Sequence, residues 1–302
     1  MNQVAAVVVT YNRLELLKEC LEKLLSQTSP CDVLIVDNAS SDGTEAYIKT
    51  AYADNARIQY RNTGANIGGA GGFNFGMRWA VEAGYEFVWV MDDDCMPRED
   101  ALEKLLDADR ILQGNYGWLS SVVLWKDGRE CKMNRQKLKK HFFDFIEYMQ
   151  YGIVQAEQAT FVSLFLKAKT VIDFGLPIKE FFIWGDDIEY TRRISVRNSI
   201  PSFVVGKSIV IHKMQNNNGS NIATDDISRI NRYKYAYRNE NFLYRQEGIK
   251  GMAYYLAKCG YHTLLVIQKQ NSKKLERCKV IVLNNIKGIF FNPKIERVDI
   301  HA

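Results

Sequence analysis

The sequence predicts an α/β fold with a mostly parallel central sheet, followed by a C-terminal helical region. Three observations predict it. Four short runs of β-branched or aromatic residues alternate with amphipathic stretches in the first hundred residues, each run ends on a polar residue, and the last quarter of the chain has helical patterning only. In order, the runs are VAAVVVT at 4–10, DVLIVD at 32–37, RIQYRN at 57–62 and FVWVMD at 87–92. The first intervening stretch, RLELLKECLEKLL, carries Leu14, Leu17, Leu21, Leu24 and Leu25 on one helical face, and the second, SSDGTEAYIKTAY, opens on Ser and Asp caps. Strand, helix, strand, helix implies a parallel sheet covered on both faces. Ligands of such sheets bind beyond the carboxyl ends of the strands, so Thr10, Asp37, Asn62 and Asp92 are expected along one edge.

Further along, residues 64–76 (GANIGGAGGFNFG) hold six glycines ahead of an amphipathic run from Phe75 to Ala83. They read as a loop that follows a strand and opens a helix, where glycine lets backbone amides approach a ligand; a plain flexible turn is the alternative. Residues 117–125 read as another strand. The mixed basic and aromatic stretch 134–152 reads as an insertion near a binding cleft, and 160–175 as a buried strand followed by a short helix.

Composition narrows the class. The chain has 302 residues, 47% of them hydrophobic and 25% charged, which is enough for one large domain or one domain with an appendage. We divide it into a catalytic unit, 1–227, and a basic helical region, 228–302. The formal charge of +5 conceals a split, since residues 228–302 carry +10 and the remainder −5. That asymmetry points the tail at something anionic. Six scattered cysteines show neither a disulfide framework nor metal-type spacing, which suits a reducing compartment. The N-terminus lacks the pattern of a secretion signal, and no run approaches about 18 uninterrupted apolar residues. The expected location is cytoplasmic, peripheral at the cytoplasmic face of a membrane.

The chemistry centres on VWVMDDDCMPRED, where an apolar run stops at Asp92, Asp93 and Asp94. Closely spaced carboxylates at a strand end suit a hard cation, Mg²⁺ or Mn²⁺, shared with a substrate phosphate. Solvated surface charge, or a helix cap before PRED, is the competing reading. A second acidic pair, Asp186 and Asp187, follows the aromatic run FFIWG, and His212 ends the strand-like SIVIH.

Taken together, VVVTYNR, VDNASSDGT, the triple aspartate, WGDD and the later histidine resemble glycosyltransferase family 2 with the GT-A nucleotide-sugar-binding fold. The resemblance spans about residues 4–213, and the glycine stretch with WGDD points to bacterial galactofuranosyltransferases and related rhamnosyltransferases. It implies that Thr10, Tyr11 and Arg13 line the nucleotide pocket and that Asp37 accepts a hydrogen bond from the base. Asn66, Gly68 and Gly69 would lie along the ribose, diphosphate or donor sugar. Asp92 and Asp94 would serve metal and donor, with Asp93 turned to the sugar or the scaffold and His212 as third metal ligand. Asp187 would be the base, beside Asp186, and Trp184 would stack on a sugar. Two adjacent carboxylates should raise each other's proton affinity.

The implied activity is an inverting, metal-dependent hexosyl transfer, from UDP-galactofuranose or else dTDP-rhamnose, to a hydroxyl of a lipid-linked saccharide in bacterial surface polysaccharide synthesis. The tail fits an anionic membrane surface, or else packs against the first domain or forms a dimer, and homo-oligomerisation stays open. A non-catalytic nucleotide or membrane-surface binding module is the reading of another class, but pure binding needs no base. Nucleic acid is not expected as a partner, because the basic, aromatic tail carries no accompanying motif.

Overall fold

Valine and isoleucine at consecutive strand positions suit a sheet whose two faces both leave water. In the computed structural model, which describes residues 2–269 and 272–299, β1 (Val4–Thr10) and β2 (Asp32–Asp37) are buried at every position. They pair in parallel; β1 also pairs in parallel with β4 (Phe87–Asp92), and β2 with β3 (Ile58–Asn62). Register sets Thr10 beside Asp37, Asp37 beside Asn62 and Val9 beside Asp92. The polar tips therefore do share one edge.

Beyond β4 the sheet becomes mixed. β9 (Leu164–Lys167) runs antiparallel to both β4 and β6 (Leu119–Trp125), and β6 is parallel to the long β10 (Phe203–His212). Two strands, β5 (Cys95–Pro97) and β8 (Ile153–Gln158), are antiparallel to β10, and β7 (Lys137–Leu138) edges β8. The order is β3-β2-β1-β4-β9-β6-β10-β8-β7, with β5 beside β10. Crossing from β4 to β10 through β5 brings Asp94 and His212 to the same place, since Cys95 pairs with His212.

The helices α1 (Leu14–Leu25), α2 (Thr44–Ala51), α3 (Gly68–Glu82), α4 (Ala101–Ile111), α5 (Ala168–Phe174) and α6 (Asp186–Arg192) surround the sheet. Asp42 starts two of them, accepting from the amides of Leu14 at 2.9 Å and Thr44 at 3.3 Å. The glycine stretch differs from the expectation of a loop followed by a helix from Phe75, because α3 already begins at Gly68. Close packing is the reason. A Cβ at Gly72 would press 2.6 Å from Val9 Cγ1, and one at Gly76 would overlap Val7 Cγ1 and come 2.9 Å from Val36 Cγ2. These glycines let α3 lie directly on β1 and β2.

The insertion 134–152 also departs from expectation. Among its described residues only the first, Asn134, lines the cleft; Phe145 and Tyr148 pack edge-on against Phe203 of β10.

After β10 the chain forms α7 (Ile227–Ile230), α8 (Tyr233–Gln246), α9 (Gly248–Gln268) and α10 (Lys274–Phe290). Residues 270, 271 and 300–302 of the tail lie outside the described residues. The tail is not helical throughout, as residues 291–299 return without helix to the α/β body. There Glu296 O accepts from Leu176 N at 2.8 Å, the Glu296 carboxylate pairs with Arg78 at 3.2 Å and Lys179 at 2.5 Å, and Val298 joins the core. α9 leaves Ile249, Leu256, Leu264 and Ile267 exposed, and α10 leaves Leu275, Val282, Leu283, Ile286, Ile289 and Phe290 exposed.

Candidate active site

Three carboxylates at the end of β4 repel one another unless cations or protons intervene. Arg13, just past β1, supplies part of the answer: its Nη1 lies 3.2 Å from Asp93 Oδ1 and 2.8 Å from Asp94 Oδ2. Asp93 is turned to the scaffold, since its other oxygen accepts from Thr10 Oγ1 at 2.7 Å. Asp92 faces the cavity and has no side-chain hydrogen bond among the described residues. Burial, reinforced by Asp94 and Asp93, pushes it up to about 7. Burial also lifts Asp93 to about 6 against the pull of Arg13. Asp94 goes the other way, because its hydrogen bond and charge pairing with His212, aided by Arg13, overcome burial and hold it below the usual carboxylate range.

His212, at the end of β10, is oriented through both ring nitrogens. Nε2 lies 2.9 Å from Asp94 Oδ1, and Nδ1 lies 2.7 Å from Asn134 Oδ1. Asn134 is itself fixed by its Nδ2, which donates to Thr160 Oγ1 at 3.0 Å, so its oxygen faces the ring and Nδ1 carries the proton. This is the arrangement that aims the other nitrogen of a ligating histidine at a metal. Against burial, hydrogen bonds to Asp94 and Cys131 raise the imidazole to about 10. Asp94, Cys95 and His212 present ligand atoms within 4.8 Å of one another. Burial holds the Cys95 thiol well above its ordinary value and so protonated, leaving oxygen and imidazole as the usable donors. The carboxylates and His212 fit a divalent cation; Asp92 approaches from the same cavity but stands outside that tight cluster.

The second acidic pair is carried by a strained turn. Phe182 (φ 63°), Trp184 (φ 66°) and Gly185 (φ 87°) all have left-handed backbone immediately before α6, whose first turn holds Asp186 and Asp187. Asp186 is buried, and Asp187, partly exposed, accepts from the Ile188 amide at 2.7 Å. Burial dominates the shift of both: Asp187 rises to about 6, and Asp186 is also pushed up, with Asp187 as its second cause. The expected mutual elevation thus acts on Asp186, while desolvation lifts Asp187.

Both acidic groups line one cavity of about 590 Å³. The ends of β1, β4 and β10 together with α3 contribute Arg13, Gly69, Phe73, Asp92, Asp94 and His212, and the turn into α6 contributes Trp184, Asp186 and Asp187. The tail closes it with Arg229, Arg232, Tyr233, Tyr237, Glu240, Lys258 and His262. Packing of the tail against the first domain is one of the two expectations for it, but nothing in the sequence assigns these tail residues to the cavity. The only early signal was charge beside aromatics at helical spacing. Trp184 packs edge-on against Tyr233 at 4.9 Å between centroids.

Other expected positions are placed as follows. Tyr11 is exposed. Asp37 is fully buried and accepts from the Ser40 amide at 2.8 Å and Tyr60 OH at 2.6 Å, which is a turn role. Asn66 accepts from the Gly68 amide at 2.9 Å and so opens α3. Gly68 needs to be glycine, as its φ is 76° and a Cβ would collide with the Phe182 carbonyl.

Residues 5–151 match the sequence profile of glycosyl transferase family 2. Over that segment the chain resembles the family 2 glycosyltransferases. It is similar to galactofuranosyltransferase GlfT1 of Mycolicibacterium smegmatis, with 26% identity over 260 residues that cover 82% of this chain and 84% of that protein. The fold of the chain is GT-A. It superposes on S. aureus TarS 1-349 with a TM-score of 0.62 and 16% identity, over 96% of this chain and 81% of that one. It also superposes on the mannosyltransferase PcManGT of Pyrobaculum calidifontis, solved with GDP-Man and Mn²⁺, with a TM-score of 0.52 and 15% identity, over 95% and 73%. At those identities the likeness is one of fold.

Proposed function

We propose that this glycosyltransferase is an inverting, metal-dependent enzyme that moves a hexose, galactofuranose from UDP-galactofuranose first of all, to a hydroxyl of a lipid-linked saccharide. The observation that carries the reading is that two acidic groups, Asp92 and Asp94 with His212 and the Asp186–Asp187 pair, line the same cavity. One group suits a leaving diphosphate and the other an incoming alcohol. Asp92, Asp94 and His212 would hold Mn²⁺ or Mg²⁺, which when bound stabilises negative charge on the departing nucleotide. Asp187, held near pH 6 by burial, is ionised at neutral pH and takes the proton as the acceptor oxygen bonds to the anomeric carbon and the sugar–phosphate bond breaks. Attack from the side opposite the leaving group inverts that carbon.

The relative that covers most of both chains supports galactofuranose as the sugar. We divide the chain into the catalytic unit 1–227 and the helical region 228–302, and assign the latter to the lipid surface on which the acceptor is presented. Support comes from the exposed apolar residues of α9 and α10 interleaved with exposed Lys250, Lys279 and Lys287. No described helix is long and apolar enough to cross a membrane.

The test is incubation with Mn²⁺ and a panel of UDP-galactofuranose, dTDP-rhamnose and other nucleotide sugars, following slow donor hydrolysis, then mass spectrometry of products. Release of UDP from UDP-galactofuranose, abolished by a chelator, is the expected result. Hydrolysis of dTDP-rhamnose alone would replace the donor, and inertness toward every donor would overturn the reading.

A further inference from the structure

The turn that presents Asp186 and Asp187 is built from backbone conformations that side-chain-bearing residues avoid. Phe182 has φ 63° and ψ −58° and is bridged by a 2.7 Å bond from the Ile183 amide to the Phe181 carbonyl, the rare and strained form of γ-turn. Trp184 follows in the left-handed region. Such a segment persists only where its surroundings over-determine it.

Two elements do so here. On one side, the Ala70 amide of α3 donates to the Phe182 carbonyl at 3.2 Å. On the other stands Asn239 of α8, with no exposed surface. Its Nδ2 donates to the carbonyls of Phe181 at 3.0 Å, Trp184 at 2.8 Å and Ile183 at 3.3 Å. Its Oδ1 accepts from Arg238 Nε at 3.0 Å and Nη2 at 2.8 Å, and Arg238 Nη2 also donates to the Glu180 carbonyl at 2.6 Å. A single buried amide thus gathers three carbonyls of the turn that helical or sheet bonding would otherwise satisfy.

We infer that Asn239 is a positioning residue for glycosyl transfer: it holds the 181–185 turn in its strained form so that the Asp187 carboxylate faces the cavity. The inference rests on the reading of Asp187 as the base. It makes α8, from the basic tail, a working part of the catalytic apparatus, and it assigns a role to an asparagine that neither the acidic motifs nor the glycine stretch touches.

The experiment compares wild type, Asn239→Ala, Asn239→Ser, Phe182→Gly and the double variant Asn239→Ala with Phe182→Gly. It measures donor hydrolysis, Mn²⁺-dependent UDP affinity and amide hydrogen exchange of residues 181–188. Loss of the clamp should lower turnover at least tenfold, leave UDP affinity within about twofold and speed exchange in the turn. Asn239→Ser, which keeps one donor, should fall between, and it carries the test should Asn239→Ala fail to fold. Glycine at 182 adopts positive φ freely, so the double variant should recover several-fold of the lost turnover. Asn239→Ala with wild-type turnover would overturn the inference. So would a loss that Phe182→Gly does not relieve and that UDP affinity shares in proportion, since that is general unfolding. Wild-type protein inert toward every donor would bring down the glycosyltransferase reading first, and this inference with it.

Discussion

Asp187 and Asp94 are chemically the same side chain, and their surroundings send them in opposite directions. Desolvation holds Asp187 near 6, whereas His212 and Arg13 keep Asp94 ionised. Asp187→Asn should keep Mn²⁺-dependent UDP binding and lose about 10²–10⁴ in transfer rate, the usual worth of a general base. In the wild type the rate should climb with pH through about 6 as the carboxylate ionises, and a flat profile there would sink the assignment. Asp94→Ala and His212→Ala should instead weaken metal-dependent UDP affinity, measured by calorimetry; unchanged affinity in both would remove them as ligands. Stability carries a separate signature. Asp92, Asp93, Asp186 and Asp187 retain protons in the fold that the unfolded chain releases above about pH 4. His212 keeps its proton above its unfolded value of about 6.5. All five contributions decline as pH rises, while that of Asp94 is lost only on acidification below about 4. Metal-free protein should therefore melt lower at pH 8 than at pH 5.5, and added Mn²⁺ should reduce the difference by binding the ionised carboxylates.

At the scale of the element, α3 shows what the sequence could and could not convey. Four strands and the first two helices were legible because their periodicity reports burial directly. The glycines of 64–76 were legible as unusual, but local pattern cannot distinguish glycine chosen for loop conformation from glycine chosen so that a helix can touch a sheet. Only β1 and β2 lying underneath decide it. Substitution separates the cases. Gly76→Ala should destabilise by about 1–3 kcal/mol, since its methyl meets Val7 and Val36 in a filled core. Gly69→Ala, where nothing lies within 4 Å, should stabilise α3 by up to about 1 kcal/mol. Urea denaturation of the two variants checks the opposite signs. Asp186 and Asp187 were found because a doubled carboxylate after an aromatic run stands out, whereas Asn134, which orients His212, did not, being one asparagine among many.

For the whole molecule, the hidden part of the site is the part made by distant segments. Tyr237, Glu240, Lys258 and His262 reach the cavity only because α8 and α9 pack back over the catalytic unit, and nothing local in the sequence encodes that approach. The tail's charge was legible. If it meets an anionic surface, co-sedimentation with liposomes should rise with anionic lipid content and fall with salt. Binding indifferent to both would count against it. The return of residues 291–299, through Glu296 and Val298, has a mechanical consequence for that encounter. α9 and α10 are moored to the catalytic body fore and aft, as a bridge rather than a leash. A membrane resting on them would stand at one fixed height from Asp187, and the protein would then gauge its acceptors by length, favouring saccharides whose terminal hydroxyl spans that gap.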